Sequence, residues 1–277
     1  MLRQRVITAV VLLAALLAAA AAGRLVLDAA LAVVVGAAAF EWLRLAQHPA
    51  ALSLPAAAVF AVALFAAQSL LTGSSSELHV LLAVAACAAW LFIAVLVLRG
   101  AQRGARLPHA ASTALAFLLL AAAWFALMRL LDAGFVHLLS VLVIVWLADI
   151  AAYFAGRQWG RRKLAPAISP GKTWAGAVGA VVAVLLAALL AGRLAPDLPA
   201  FSTLLQQRLA PVVALAVLAA LVALSIVGDL FESLLKRQVD AKDSGRLLPG
   251  HGGVLDRIDA LIAVLPAAGL IDLWLRQ

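Results

Sequence analysis

The chain has 277 residues, 66% of them hydrophobic and only 12% charged, whereas a soluble domain runs near 45–50% apolar and about 25% charged. No water-soluble fold of this length could hide so much apolar surface, so a bilayer has to act as the solvent. The net charge of +8 would point a soluble protein toward nucleic acid; here the basic residues lie between apolar runs, so membrane topology, anionic lipid and phosphate explain them first and nucleic acid is set aside.

Alanine and leucine supply most of the apolar mass, and no stretch shows the period-2 alternation of a membrane barrel strand. The expected fold is therefore all-α, a polytopic transmembrane bundle. Nine apolar runs approach the length of a span, about 20 residues: Val6–Ala22, Leu25–Phe40, Ala56–Leu71, Val80–Leu98, Ala111–Met128, Phe135–Ala155, Trp174–Ala191, Pro211–Val227 and Leu255–Leu273. Gly23 and Arg24 form so thin a break that the first two spans must make a tight hairpin. Arg3 and Arg5 before an apolar run imitate a signal peptide, but with eight further runs an uncleaved first span is the simpler expectation. With the N-terminus inside, the inner segments hold 16 of the 21 lysines and arginines and the outer ones 5. That asymmetry favours an N-in, C-out arrangement.

Cys87 is the sole cysteine and lies in an apolar run, which rules out an intrachain disulfide or a cysteine-based zinc site. His48, His79, His109 and His137 have no neighbour at metal-ligand spacing and read as loop or interface residues. Two regions are expected: a scaffold of five spans over 1–133, and a region of four spans over 134–277. The latter carries the inner loops 156–173 and 228–254, where charged, glycine and proline residues cluster.

The richest segment runs from Asp229 to Asp259. Asp229, Ser233, Lys236 and Arg237 are spaced i, i+4, i+7 and i+8, and share a face if the eighth helix continues past the membrane boundary. Glu232 faces the same cleft or water. Asp240, Lys242, Asp243, Ser244, Gly245, Arg246, Pro249, Gly250, His251, Gly252 and Gly253 then form a glycine-rich loop whose backbone N–H groups suit phosphate oxygens. Asp256 and Asp259 follow at i, i+3 with Arg257 between them, at the positive end of the ninth helix. Carboxylates at the margins of apolar helices are costly and tend to be functional. Hard oxygens converging from two helix ends suit Mg²⁺, with ion pairs to Lys236 or Arg257 as the bland rival.

A second constellation runs from Asp149 and Tyr153, through Gly156, Arg157, Gly160, Arg161, Arg162, Lys163 and Pro166, to Ser169, Pro170, Gly171, Lys172, Thr173 and Trp174. Gly171-Lys172-Thr173 is not a P-loop, because Pro166 stands where that motif needs glycine and no strand precedes it. Two accounts stay open: a basic interfacial loop that meets anionic headgroups, or a phosphate-holding loop in which Ser169, Lys172 and Thr173 contact a substrate.

The run Ser233-x-Leu235-Lys236-Arg237, Lys242-Asp243-x-Gly245, Leu248-Pro249-x-His251-Gly252-Gly253-Val254-x-Asp256-Arg257-Ile258-Asp259 resembles the signature of the phosphatidate cytidylyltransferase (CDP-diacylglycerol synthase) family. Ser169-Pro170-x-Lys172-Thr173-Trp174 is similar to a second block of that family, with Ala175 where an acidic residue is common. The resemblance covers roughly residues 140–277. It implies transfer of a cytidylyl group from CTP to phosphatidate, with Mg²⁺ and room for a second ion. It also implies an inner-membrane enzyme of phospholipid synthesis, surrounded by membrane lipid, with its site on the cytoplasmic side and a homodimeric state. Asp229, Asp256 and Asp259 are the expected metal ligands, with Ser233 and Lys236 beside them as catalytic groups. Ser169, Lys172, Thr173, Arg237, Lys242, Asp243, His251, Gly252, Gly253 and Arg257 are the expected substrate contacts. The rival readings are another membrane CTP-dependent lipid or polyprenol enzyme and a secondary transporter. The latter predicts midplane charges in both halves, whereas here they gather at one face of one half.

Overall fold

The computed structural model describes residues 2–70, 76–103 and 107–277. Ten helices appear among them: α1 (Leu2–Ala21), α2 (Arg24–Leu45), α3 (Ala50–Leu70), α4 (Ser76–Arg103), α5 (His109–Asp132), α6 (Phe135–Trp159), α7 (Trp174–Leu194), α8 (Phe201–Arg208), α9 (Pro211–Gln238) and α10 (Leu255–Leu275). Eight of these, α2–α7, α9 and α10, are long and apolar enough to cross a membrane. The protein is therefore a multi-pass helical membrane protein. The expected first run is helical as α1, but its apolar described part, Val10–Ala21, is shorter than the other eight.

The boundaries follow from side-chain chemistry. Gly23 takes φ 113° between α1 and α2, a conformation that favours glycine and turns the chain in two residues. Proline at the first position of α9 needs no N–H there. Thr173 caps α7 by accepting the Gly176 N–H at 3.1 Å. Several helices outrun the apolar runs that announced them. α2 continues through Glu41 to Leu45, α3 begins before Pro55, α6 reaches Trp159 and α9 reaches Gln238. Polar residues end a hydropathy run without ending a helix. The sequence reading also missed α8 and a two-stranded hairpin. In that hairpin β1 (Lys163–Ala165) lies antiparallel to β2 (Ser169–Thr173), with Ala165 opposite Ser169.

α10 runs through the middle of the bundle, packed on α4, α5 and α9. At the end where α9 finishes, the edges of Trp42 and Trp90 meet the ring of Phe231 at centroid distances of 5.8 and 5.7 Å. The α6–α7 seam is built on small residues, which let two backbones approach closely. A Cβ on Gly176 would lie 2.8 Å from the Ala152 carbonyl oxygen, and one on Gly179 would lie 2.3 Å from the Ala155 Cβ. The outward faces carry Leu13, Val59, Leu91, Val178, Val212 and Trp274, side chains that lipid rather than water would solvate.

At the other end of α10, Asp272 is fully buried and receives three basic groups. His137 Nε2 lies 2.9 Å away, Arg276 Nε 2.6 Å and Arg129 Nη2 3.6 Å. His137 is thus no loop residue but a buried partner that ties α6 to α10. His48 and His109 do sit at a joint: His48 Nε2 meets Thr113 Oγ1 at 2.7 Å, and His109 Nδ1 meets the Ala46 carbonyl at 3.1 Å.

Candidate active site

Because α9 remains helical to Gln238, Asp229, Ser233, Lys236 and Arg237 do share a face, but each serves a different partner. The Asp229 carboxylate forms an ion pair with Lys172 of β2 at 2.5 Å, and Ser233 Oγ lies 3.4 Å from its other oxygen. Lys236 is paired with Glu232 and, at 2.7 Å, with Asp256 at the start of α10. Arg237 Nε donates to the Ile168 carbonyl at 3.3 Å, tying α9 to the hairpin. Glu232, expected in the cleft or water, is 3% exposed and points inward beside Trp42 and Trp90. An ionised carboxylate needs a counter-charge there, and Lys236 supplies it.

The connection 239–254 folds back on itself. Leu248 N–H donates to the Gly252 carbonyl at 2.9 Å, and Gly252 adopts φ 86°. The expected open row of N–H donors is not what this loop presents. Asp256 Oδ2 accepts the Ser244 N–H at 2.9 Å and the Gly253 N–H at 2.8 Å, with Ser244 Oγ at 3.0 Å. The loop thus cradles a carboxylate of its own chain. With Lys236 on Oδ1, both oxygens of Asp256 are engaged, and its place in the first turn of α10 suits the helix dipole.

Beside this loop a cavity of about 960 Å³ opens between α6, α7, α9, α10 and the hairpin. Its polar end carries Asp149, Lys172, Asp229 and Asp259, with Arg157, Lys163 and Arg257 around it. Asp149 and Asp259 each lie close enough to Asp229 and to Lys172 to feel their charges. Its apolar side is formed by Val145, Trp146, Ala148, Ala152, Ile226 and Leu261. Tyr153, one turn beyond Asp149, accepts from Arg157 Nη1 at 3.3 Å. Thr173 also lines the cavity. It is held by close approach, since a Cβ on Gly156 or Gly160 would lie 2.9 or 2.7 Å from its hydroxyl.

Of the site residues read from the sequence, Lys172, Thr173, Asp229, Asp256, Arg257 and Asp259 therefore converge on one cavity. Ser233, Lys236 and Arg237 stand behind it in the contacts just described. Ser169 pairs within the hairpin, Lys242 and Asp243 are exposed on the loop, and Gly252 and Gly253 shape that loop. His251 accepts from Arg257 Nη2 through its carbonyl at 2.7 Å. Asp149 belongs with the cavity group, and only its position within an apolar run signalled it. Glu41 of α2, unremarked in the sequence, reaches the loop from the other half of the chain. Its Oε2 accepts the Leu255 N–H at 2.8 Å.

A family model described as the cytidylyltransferase family matches residues 3–272. The chain belongs to that family. A phosphatidate cytidylyltransferase of Pseudomonas aeruginosa is 40% identical over 99% of this chain and 97% of its own length. Similar proteins of that name in Haemophilus influenzae and Bacillus subtilis are 46% and 39% identical over shorter stretches, covering 48% of this chain in each case. Those stretches span 44% and 46% of the two relatives' lengths.

Among the described residues no three histidine, cysteine, aspartate or glutamate side chains are grouped to hold a metal. Asp229 and Asp259 offer two carboxylates on adjoining helices. α9 and α10 approach so closely here that a Cβ on Gly228 would lie 2.7 Å from the Asp259 carbonyl oxygen. Asp259 accepts the Ala260 N–H at 2.7 Å, and Asp229 already attracts one cation, Lys172. Two hard oxygen donors fit Mg²⁺, which usually takes one or two carboxylates and completes its shell with water and substrate phosphate.

Proposed function

We propose that this protein transfers the cytidylyl group of CTP to phosphatidate, giving CDP-diacylglycerol and pyrophosphate. The observation that carries the reading is the 40% identity with a phosphatidate cytidylyltransferase over nearly the whole of both chains. The cavity supports it, because its lining holds both apolar side chains, as a diacyl lipid needs, and charged ones, as a triphosphate needs.

In this reading a phosphate oxygen of phosphatidate attacks the α-phosphorus of CTP. The new P–O bond forms as the bond from the α-phosphorus to the bridging oxygen breaks, and pyrophosphate leaves with that electron pair. Since phosphate is itself the nucleophile, the protein has only to position two anions and offset their repulsion. Lys172 holds phosphate oxygens at the mouth of α7, where the positive end of the helix dipole adds to its charge. Arg157, Lys163 and Arg257 lie around the same rim and attract the nucleotide. Asp229 and Asp259 would hold Mg²⁺, with Asp256 kept behind them by Lys236 and the loop. When bound, the ion would offset the negative charge of the phosphates. Ser233 orients Asp229.

The excess of lysine and arginine on alternate connections supports a cytoplasmic position for this end of the bundle, with the N-terminus inside. CTP enters from that side, and phosphatidate enters sideways from the inner leaflet of the cell membrane past Trp146 and Tyr153, both exposed on α6.

The test uses purified protein in detergent with Mg²⁺, phosphatidate and CTP labelled at the α-phosphorus. The expected result is label in a CDP-lipid, with one pyrophosphate released per lipid. Transfer of the γ-phosphate instead would make the protein a lipid kinase and overturn the proposal.

A further inference from the structure

A single carboxylate of α2 reaches into the signature loop. Glu41 is 1% exposed. Its Oε2 accepts the Leu255 N–H at 2.8 Å and lies 3.0 Å from Ser244 Oγ. Ser244 Oγ is also 3.0 Å from Asp256 Oδ2. One hydroxyl thus stands between two carboxylates, and the residue that carries it also donates its backbone N–H to Asp256. The loop closes tightly over Glu41. A Cβ on Gly245 would lie 2.2 Å from Glu41 Oε1, and one on Gly253 would lie 2.4 Å from Oε2. Neither glycine has positive φ. What requires glycine at these two signature positions is the Glu41 carboxylate, together with Ser244 Oγ against Gly253.

We propose that Glu41 is the positioning residue of the active site. It holds Ser244 and Leu255 so that Asp256 is fixed at the head of α10 opposite Lys236. Glu41 touches no substrate and acts through the loop. A buried carboxylate whose partners are the Leu255 N–H and a hydroxyl shared with Asp256 sets their positions strongly, because moving them leaves it with no donor at all. The inference rests on the cytidylyl-transfer reading only for its kinetic consequence. The structural part, that Glu41 orders residues 244–255, stands apart from it.

The experiment compares the full-length wild type with Glu41→Ala and Glu41→Gln in detergent, by amide hydrogen exchange and by steady-state kinetics. Gln keeps an acceptor oxygen where Ala keeps none. In Glu41→Ala, amides of 244–255 should exchange at least about tenfold faster while those of the β1–β2 hairpin stay unchanged, and kcat should fall about 10–100-fold, the usual loss when an outer support is removed. KM for CTP should move less than about threefold, since substrate contacts remain. Glu41→Gln should restore most of kcat. If Glu41→Ala does not accumulate, Gly245→Ala, which drives the loop off the carboxylate, should give the same local exchange. Unchanged exchange at 244–255 overturns the proposal, as does a kinetic loss confined to KM or an equal loss in Glu41→Gln. A wild type inactive toward CTP and phosphatidate would overturn the functional reading and leave the exchange result to decide the role of Glu41.

Discussion

Lys236→Met separates two roles that a lysine beside an active site can have. The ammonium is 14% exposed and neutralises Glu232, 4% exposed at its side chain, and Asp256, 6% exposed. Removing it affects the two carboxylates unequally. Asp256 keeps the Ser244 and Gly253 N–H groups and the Ser244 hydroxyl. Glu232 loses its counter-charge while packed beside Trp42, Trp90 and Phe231. Breaking a buried pair by removing one partner costs about 3–5 kcal/mol, and most of that should fall on Glu232. Thermal unfolding in detergent should therefore drop by roughly 10 °C, with activity lost in proportion to folded protein. Adding Glu232→Gln to Lys236→Met should recover more than half of the drop, whereas adding Asp256→Asn should recover little. A Lys236→Met protein as stable as wild type yet inactive would refute this reasoning and place Lys236 on the substrate.

Asp229→Asn should leave the protein folded in the membrane, because the residue is one-third exposed, and should abolish label transfer from CTP; size-exclusion elution alongside the assay checks both. Lys172→Ala removes one charge-assisted contact, worth about 1.5–3 kcal/mol, so kcat/KM for CTP should fall about 10–100-fold; a rate within twofold of wild type would return that residue to a topology role. Gly160→Ala puts a Cβ 2.0 Å from the Gly156 carbonyl oxygen and 2.7 Å from Thr173, so melting should reveal a loss of about 1–3 kcal/mol, as overpacking gives. Gly171→Ala, with nothing within 4 Å of its Cβ, should melt like wild type.

The bundle was legible because its signal is local: an apolar run of span length announces a helix whatever it packs against. The helical period also placed Asp229 and Ser233 together, and Asp256 and Asp259 one turn apart. Period gives a face but not a partner. It set Lys236 beside Asp229, while the fold gives Lys236 to Glu232 and Asp256 and brings Lys172 across from β2 to Asp229. The glycine-rich stretch suggested open N–H groups for phosphate, and composition cannot tell those from N–H groups already given to Asp256. The β1–β2 hairpin is too short to show alternation, and α8 is too polar to look like a span.

Glu41 shows where sequence reading stops for a physical reason. A lone carboxylate between Phe40 and Trp42 looks like the end of an apolar run, and its hydroxyl partner Ser244 is 203 residues away. Only the packing of α2 under the start of α10 makes the pair. The same packing brings Trp42 and Trp90 onto Phe231 and lets Thr8 Oγ1 donate to the Pro249 carbonyl at 2.8 Å. Three of the first four helices therefore place a side chain on α9, on α10 or on the loop between them. Carboxylates gathered at two helix ends repel one another. Within the cluster Lys172 and Lys236 offset the repulsion among Asp229, Asp256 and Asp259, and the contacts from α1, α2 and α4 hold the helix ends and the loop that carry them.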